Sequence, residues 1–190
     1  IGMIFQEPLT ALNPLHTIDK QIGEAVTIHN PWMKPAAVKL KVRELLKSVE
    51  LESLVDRMDS YPHQLSGGQR QRVMIAIAIA NNPKLLIADE PTTAIDARVS
   101  KHIMELLQKI KKEFNLSILL ITHDLSMVRE YADSICVMRK GEIVESGSTA
   151  EIFRNPKDEY TKYLINSEPV KLVSNSTISN SSALEIKDLT

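Results

Sequence analysis

Apolar residues along the chain fall into three kinds of run, each predicting a different element. Val38, Val42, Leu45, Leu46 and Val49 recur three and four apart, as do Ile103, Leu106, Leu107, Ile110 and Phe114. That spacing puts each set on one face of a helix, the first packed into a core and the second laid on a sheet. Val73 to Ala80 carries no charge and follows Arg70-Gln71-Arg72, which reads as a buried helix. Leu85 to Ala88 is too short for a helix and reads as a buried parallel strand. Ser117 to Ile121 and Ile1 to Phe5 read as further strands. Ser134 to Met138 and Ile143 to Glu145, joined through Lys140-Gly141, read as a hairpin.

Polar punctuation divides these runs. Asn30-Pro31-Trp32 and Tyr61-Pro62 interrupt a largely helical region between Pro8 and Pro83. Val170 to Ser182 is rich in Ser and Asn and reads as a flexible linker. Leu184 to Thr190 then alternates like a strand, a loose C-terminal tail being the other reading.

Three places bring in chemistry. Asp89 and Glu90 emerge at the carboxyl end of a strand, where open α/β sheets place their ligands. Adjacent carboxylates point different ways and can take different jobs; a solvated acidic turn before Pro91 is the plainer account. Ser66-Gly67-Gly68 opens the Val73–Ala80 helix. Glycine lets backbone approach a ligand, and a helix N-terminus offers unpaired N–H groups to an anion. An ordinary junction capped by Ser66 would use the same residues. Thr122-His123-Asp124 ends the Ser117–Ile121 strand, a place where a lone histidine is more often structural than catalytic.

Read together, Leu65-Ser66-Gly67-Gly68-Gln69-Arg70-Gln71-Arg72 and Leu85-Leu86-Ile87-Ala88-Asp89-Glu90-Pro91 resemble the signature and Walker B motifs of ABC-type ATPases. Thr92-Thr93-Ala94-Ile95-Asp96 resembles that family's D-loop, with Ile95 where Leu is usual. Thr122-His123-Asp124 resembles its switch histidine, and Ile1 to Pro8 a strand running into its Q-loop. The resemblance implies that Glu90 orients or activates the attacking water, that Asp89 and Gln6 hold Mg²⁺, and that His123 meets the γ-phosphate. Gln6 would also serve the water site, and Asp96 would belong to the D-loop. Ser66, Gly67, Gly68 and Gln69 would contact nucleotide across a dimer.

The fold class so implied is α/β, a P-loop NTPase core of the ABC ATPase type with a helical subdomain at about residues 8–83. No Gly-Lys-Ser or Gly-Lys-Thr occurs, so the Walker A loop is missing. The chain is therefore expected to be a fragment lacking the N-terminal strands, a degenerate subunit being the rival account. Residues 1–167 would be a partial ABC domain, 168–182 a linker and 183–190 a candidate start of a second ABC domain. Asn155 to Leu164 and Glu7 to Pro14 resemble the oligopeptide and dipeptide importer branch. That branch implies ATP and Mg²⁺ as cofactors, transmembrane permease subunits and a second ATPase domain as partners, and indirect service to a solute-binding protein. It would lie peripherally on the cytoplasmic face of the membrane, hydrolysing ATP to drive uptake of peptides or similar small solutes.

Composition changes this picture little. Hydrophobic residues at 43% and charged residues at 25% suit a globular domain with a real core. A net charge of −1 gives no electrostatic reason to propose nucleic acid as a partner. Cys136 is the single cysteine and lies in an apolar run, so no internal disulfide forms. No apolar stretch approaches the ~20 residues of a membrane span. Two rivals stay open: a soluble ABC ATPase working in DNA repair or translation, and a catalytically inactive interaction module.

Overall fold

A computed structural model describes residues 1–7, 11–93 and 95–167. The linker expected at 168–182 and the strand expected at 183–190 lie outside them, as do Pro8, Leu9, Thr10 and Ala94.

The region expected to be helical is so. It contains α1 (Ile18–Ile28), α2 (Pro35–Ser48) and α3 (Gly67–Ile79), with 3-10 turns at Glu52–Leu54 and Pro62–Gln64. Pro35 starts α2, where its missing N–H is no loss. The stripe read from the sequence turns inward: Val42, Leu45, Leu46 and Val49 are buried, and Val38 packs against them.

Three short strands run parallel in the order β1 (Gly2–Ile4), β2 (Leu85–Asp89), β3 (Ser117–Ile121). Ile4 lies beside Ala88, and Asp89 beside Ile121, so the carboxyl ends of the strands are level. α4 (Ala97–Glu113) makes the crossover from β2 to β3 and buries Ile103, Met104, Leu106, Leu107 and Ile110. α3 packs against β1 so closely that a Cβ on Gly2 would strike the carbonyl oxygen of Ala78. Only glycine permits that approach. One apolar cluster runs from the helices through Ile75 and Ile79 to Ile4, Leu86 and Ala88.

β2 departs from the expectation of full burial. Leu86 and Ala88 are buried, whereas Leu85 and Ile87 are only half-buried. Met3, Ile87 and Leu119 share a row across the sheet, and Met3 and Leu119 are 40% and 51% exposed. A five-residue apolar run reads the same whether one face or both are covered.

The hairpin forms as expected, with β4 (Ser134–Arg139) and β5 (Glu142–Ser148) antiparallel. Lys140 and Gly141 both take positive φ, 51° and 84°, as a two-residue turn requires. Cys136 is exposed, because the hairpin is a separate sheet outside the main apolar cluster. Three short helices complete the described residues: α5 (Leu125–Tyr131), α6 (Thr149–Arg154) and α7 (Glu159–Asn166). The Asn155–Leu164 motif has a packing role here. The Glu145 carboxylate accepts from the N–H groups of Lys157 (2.8 Å) and Asp158 (3.1 Å), and Arg139 lies 4.9 Å from the centre of the Tyr160 ring.

Candidate functional site

Glu90 follows the last residue of β2 in a backbone conformation that L-residues disfavour, with φ at 46°. Its N–H donates to the carbonyl of Ile121 at 2.9 Å, which fixes the turn to the end of β3. The carboxylate is thereby brought to His123. Nδ1–H of His123 donates to Glu90 Oε1 at 2.6 Å, and the backbone N–H of His123 reaches the same oxygen at 3.2 Å. Thr93 Oγ1 donates to Glu90 Oε2 at 3.0 Å. The hydrogen bond and negative charge of Glu90 raise the His123 imidazole above its ordinary value. Glu90 is largely covered, at 17% side-chain exposure, while His123 is 82% exposed. A held carboxylate beside a free-standing imidazole can orient water and accept or relay a proton.

The turn before α3 uses its residues in two ways. Ser66 is the N-cap: its Oγ accepts the Gln69 N–H at 3.3 Å, and Gln69 Oε1 accepts the Ser66 N–H at 2.9 Å. The plain reading of Ser66 as a helix cap therefore holds, and the hydroxyl proton stays free for another acceptor. The two glycines differ. A Cβ on Gly68 would come within 2.7 Å of Val99 Cγ1, whereas nothing lies within 4 Å of that position on Gly67. Gly68 lets α3 touch α4, and Gly67 leaves its exposed side open to an approaching group.

Asp96 caps α4, its Oδ1 accepting from the N–H groups of Arg98 (3.1 Å) and Val99 (3.0 Å). Gln6 is exposed just beyond β1, and Asp89 is half-buried at the end of β2. A cleft of about 500 Å³ is lined by Glu90, Thr93, Ser100, His123, Asp124 and Met127, among others. Gln6, Asp89 and the Ser66–Gln69 turn are not in its lining, so the geometry joins Glu90 to His123 and keeps the turn apart.

Among the described residues no three His, Cys, Asp or Glu side chains are grouped to enclose a metal. Mg²⁺ takes one or two carboxylates, substrate phosphates and water, so Asp89 with Gln6 suits it without such a cage. The open Gly67 turn at a helix N-terminus suits phosphate. Thr93 carries no site signal in the sequence, since a hydroxyl three places after a carboxylate has no distinctive pattern. No described helix is long and apolar enough to cross a membrane.

Comparison with known proteins gives a consistent result. Residues 1–93 match the ABC transporter family model. Over 169 residues, 89% of this chain, it is 53% identical to the peptidoglycan transport ATP-binding protein YejF of Agrobacterium fabrum, covering 31% of that protein. It is likewise 53% identical to the dipeptide transport ATP-binding protein DppD of Haemophilus influenzae, covering 51% of it. Identity to the oligopeptide transport ATP-binding protein OppD of Lactococcus lactis is 48%, covering 50%. The chain thus spans about half or less of the length of these curated relatives. Among solved structures, a dimeric post-hydrolysis ATP-binding cassette bound to ADP and Pi matches with TM-score 0.66 and 34% identity, over 78% of this chain and 62% of that one. A Clostridium perfringens protein, cbiO1, part of an ABC transporter complex, matches with TM-score 0.70 and 32% identity, over 81% and 59%.

Proposed function

The chain belongs to the ABC transporter ATP-binding family, and from that premise we propose that it is part of an ATPase driving uptake of peptides or similar small solutes. The observation that carries the reading is Glu90, held against His123 at the level carboxyl ends of β2 and β3. Glu90 orients the attacking water and takes its proton. His123, exposed and already paired, meets the terminal phosphate. Asp89 and Gln6 hold Mg²⁺. When bound, ATP brings the γ-phosphoryl group and Mg²⁺ offsets the charge on its oxygens. Ser66, Gly67, Gly68 and Gln69 meet the nucleotide of a facing domain, with Asp96 in the D-loop between the two.

The names of the relatives support the substrate class. A second ATPase domain and a transporter complex draw support from two solved neighbours, one a dimeric cassette and the other part of an ABC transporter complex. Transmembrane permease subunits, a solute-binding protein served indirectly and a peripheral place on the cytoplasmic face of the membrane complete the proposal. The chain contains no Gly-Lys-Ser or Gly-Lys-Thr, so residues 1–190 alone are expected not to bind Mg-ATP tightly. Micromolar binding in isothermal titration would overturn that expectation.

The deciding experiment uses Glu90→Gln in the dimer-forming ATPase that carries this chain. Nucleotide binding is retained, and steady-state turnover falls about 100-fold or more, the usual worth of a positioned base. Turnover near the wild-type rate would assign the role elsewhere. Gly67→Asp sets a carboxylate in the open side of the turn, against phosphate. Nucleotide binding to the monomer should survive it, while ATP-driven dimerisation in sedimentation should fail.

A further inference from the structure

Glu50 gathers charged groups from two other helices. It follows α2 and sits at φ 58°, a conformation costly for glutamate. Its Oε1 is 3.0 Å from Lys109 Nζ and its Oε2 is 3.0 Å from His102 Nε2, both on α4. Its carbonyl oxygen accepts from Arg72 Nη1 on α3 at 2.9 Å, and Arg72 Nε donates back to the Gly68 carbonyl at 3.4 Å. A continuous path therefore runs from the Ser66–Gly68 turn through Arg72 and Glu50 to α4.

Stability does not explain the arrangement. The Glu50 carboxylate is 31% exposed, Lys109 54% and His102 48%, and ion pairs so open to water add little. Geometry does explain it. α3 already touches α4 where Gly68 meets Val99. Lys109 lies ten residues further along, about 15 Å at the helical rise. One tight contact is a pivot; a second one this far away fixes the direction.

We propose that Glu50 is a positioning residue that sets the angle between α3 and α4, so that the Ser66–Gly68 turn and Asp96 are presented together. The consequence for turnover rests on the nucleotide reading of that turn; the positioning itself does not. Lys109 and His102 face the carboxylate from α4 and Arg72 from α3, with Glu113 and Glu52 acting on Lys109. Chiefly through the Lys109 hydrogen bond, these groups hold the Glu50 carboxyl below its usual range. Glu50 can therefore be titrated as a probe.

The test follows amide resonances of Gly68, Arg72 and Val99 in residues 1–190 as acid protonates Glu50, with the carboxyl observed by carbon NMR. All three amides should shift with that carboxyl. In Glu50→Gln the shared inflection disappears, and amide exchange over residues 66–72 speeds up by about threefold or more, with α7 unchanged. Lys109→Met cuts the path from the other side and should do the same, whereas Lys109→Arg preserves it. Amides indifferent to Glu50, with unchanged exchange in both disruptive variants, overturn the proposal.

A second arm uses the dimer-forming ATPase. Glu50→Gln should lower kcat several-fold with KM for ATP within about twofold, the pattern of a lost transition-state alignment. Full activity in Gly67→Asp would mean that the nucleotide reading of the turn fails. An inactive Gly67→Asp beside a Glu50→Gln with wild-type kcat would mean that Glu50 does not position the turn.

Discussion

Glu90 divides its carboxylate between the His123 imidazole and the Thr93 hydroxyl, and the first of these bonds sets how the imidazole responds to pH. The charged imidazolium is the form that Glu90 favours. Their pairing stabilises the fold in full below pH 6.5, the ordinary histidine value, and is lost as pH rises through the higher folded value. Because His123 is 82% exposed, that contribution to stability is small, and the titration is the better readout. His123 should titrate above 6.5 in proton NMR, and Glu90→Gln should bring it back down. A wild-type ring titrating at or below 6.5 would show that it turns away from Glu90 in solution. Both residues stand out in the sequence through the motifs they resemble, each placed just after a short apolar strand, while their pairing shows only in the fold. Thr93 does not stand out, since its role appears only once the turn after β2 is folded.

Two helices meet at Gly68, and the neighbouring glycines differ in what surrounds them: Gly68 is packed and Gly67 is open. Gly68→Ala should force α3 away from Val99 and cost about 1–3 kcal/mol, as overpacking does, read as a lower urea midpoint. Gly67→Ala should leave the unfolding free energy within about 0.5 kcal/mol, because its side chain enters open space at the first turn of α3. Equal losses in the two variants would mean that α3 does not lie against α4 as described. The helix stripes were readable because amphipathic spacing survives any arrangement of neighbours. The Glu50 cluster was not, since its partners Arg72 and Lys109 stand 22 and 59 residues away. Burial was the weakest element-level inference. Leu85 and Ile87 sit in an apolar run, and spacing alone cannot say how many layers will cover them.

At the scale of the molecule, β3 is an edge strand among the described residues, and its Leu119 and Ile121 are 51% and 46% exposed. Such an edge is a template for pairing with another chain. Residues 1–190 should therefore self-associate as concentration rises, and Leu119→Lys should reduce this without lowering thermal stability. A monomer at every concentration in sedimentation would show the edge to be harmless.

The sheet also imposes an order in time. β1 brings residue 2 beside residue 86, whereas β2 and β3 bring residue 85 beside residue 117. Closing the longer loop costs roughly 1 kcal/mol more in chain entropy, and β1 offers only three residues in return. The β2–α4–β3 unit should accordingly assemble first and β1 dock onto it late. In pulsed hydrogen exchange during refolding, amides of residues 118–121 should gain protection before those of Met3 and Ile4. Gln6 follows that strand by two residues, so its position relative to the end of β2 is fixed only when the last strand has docked.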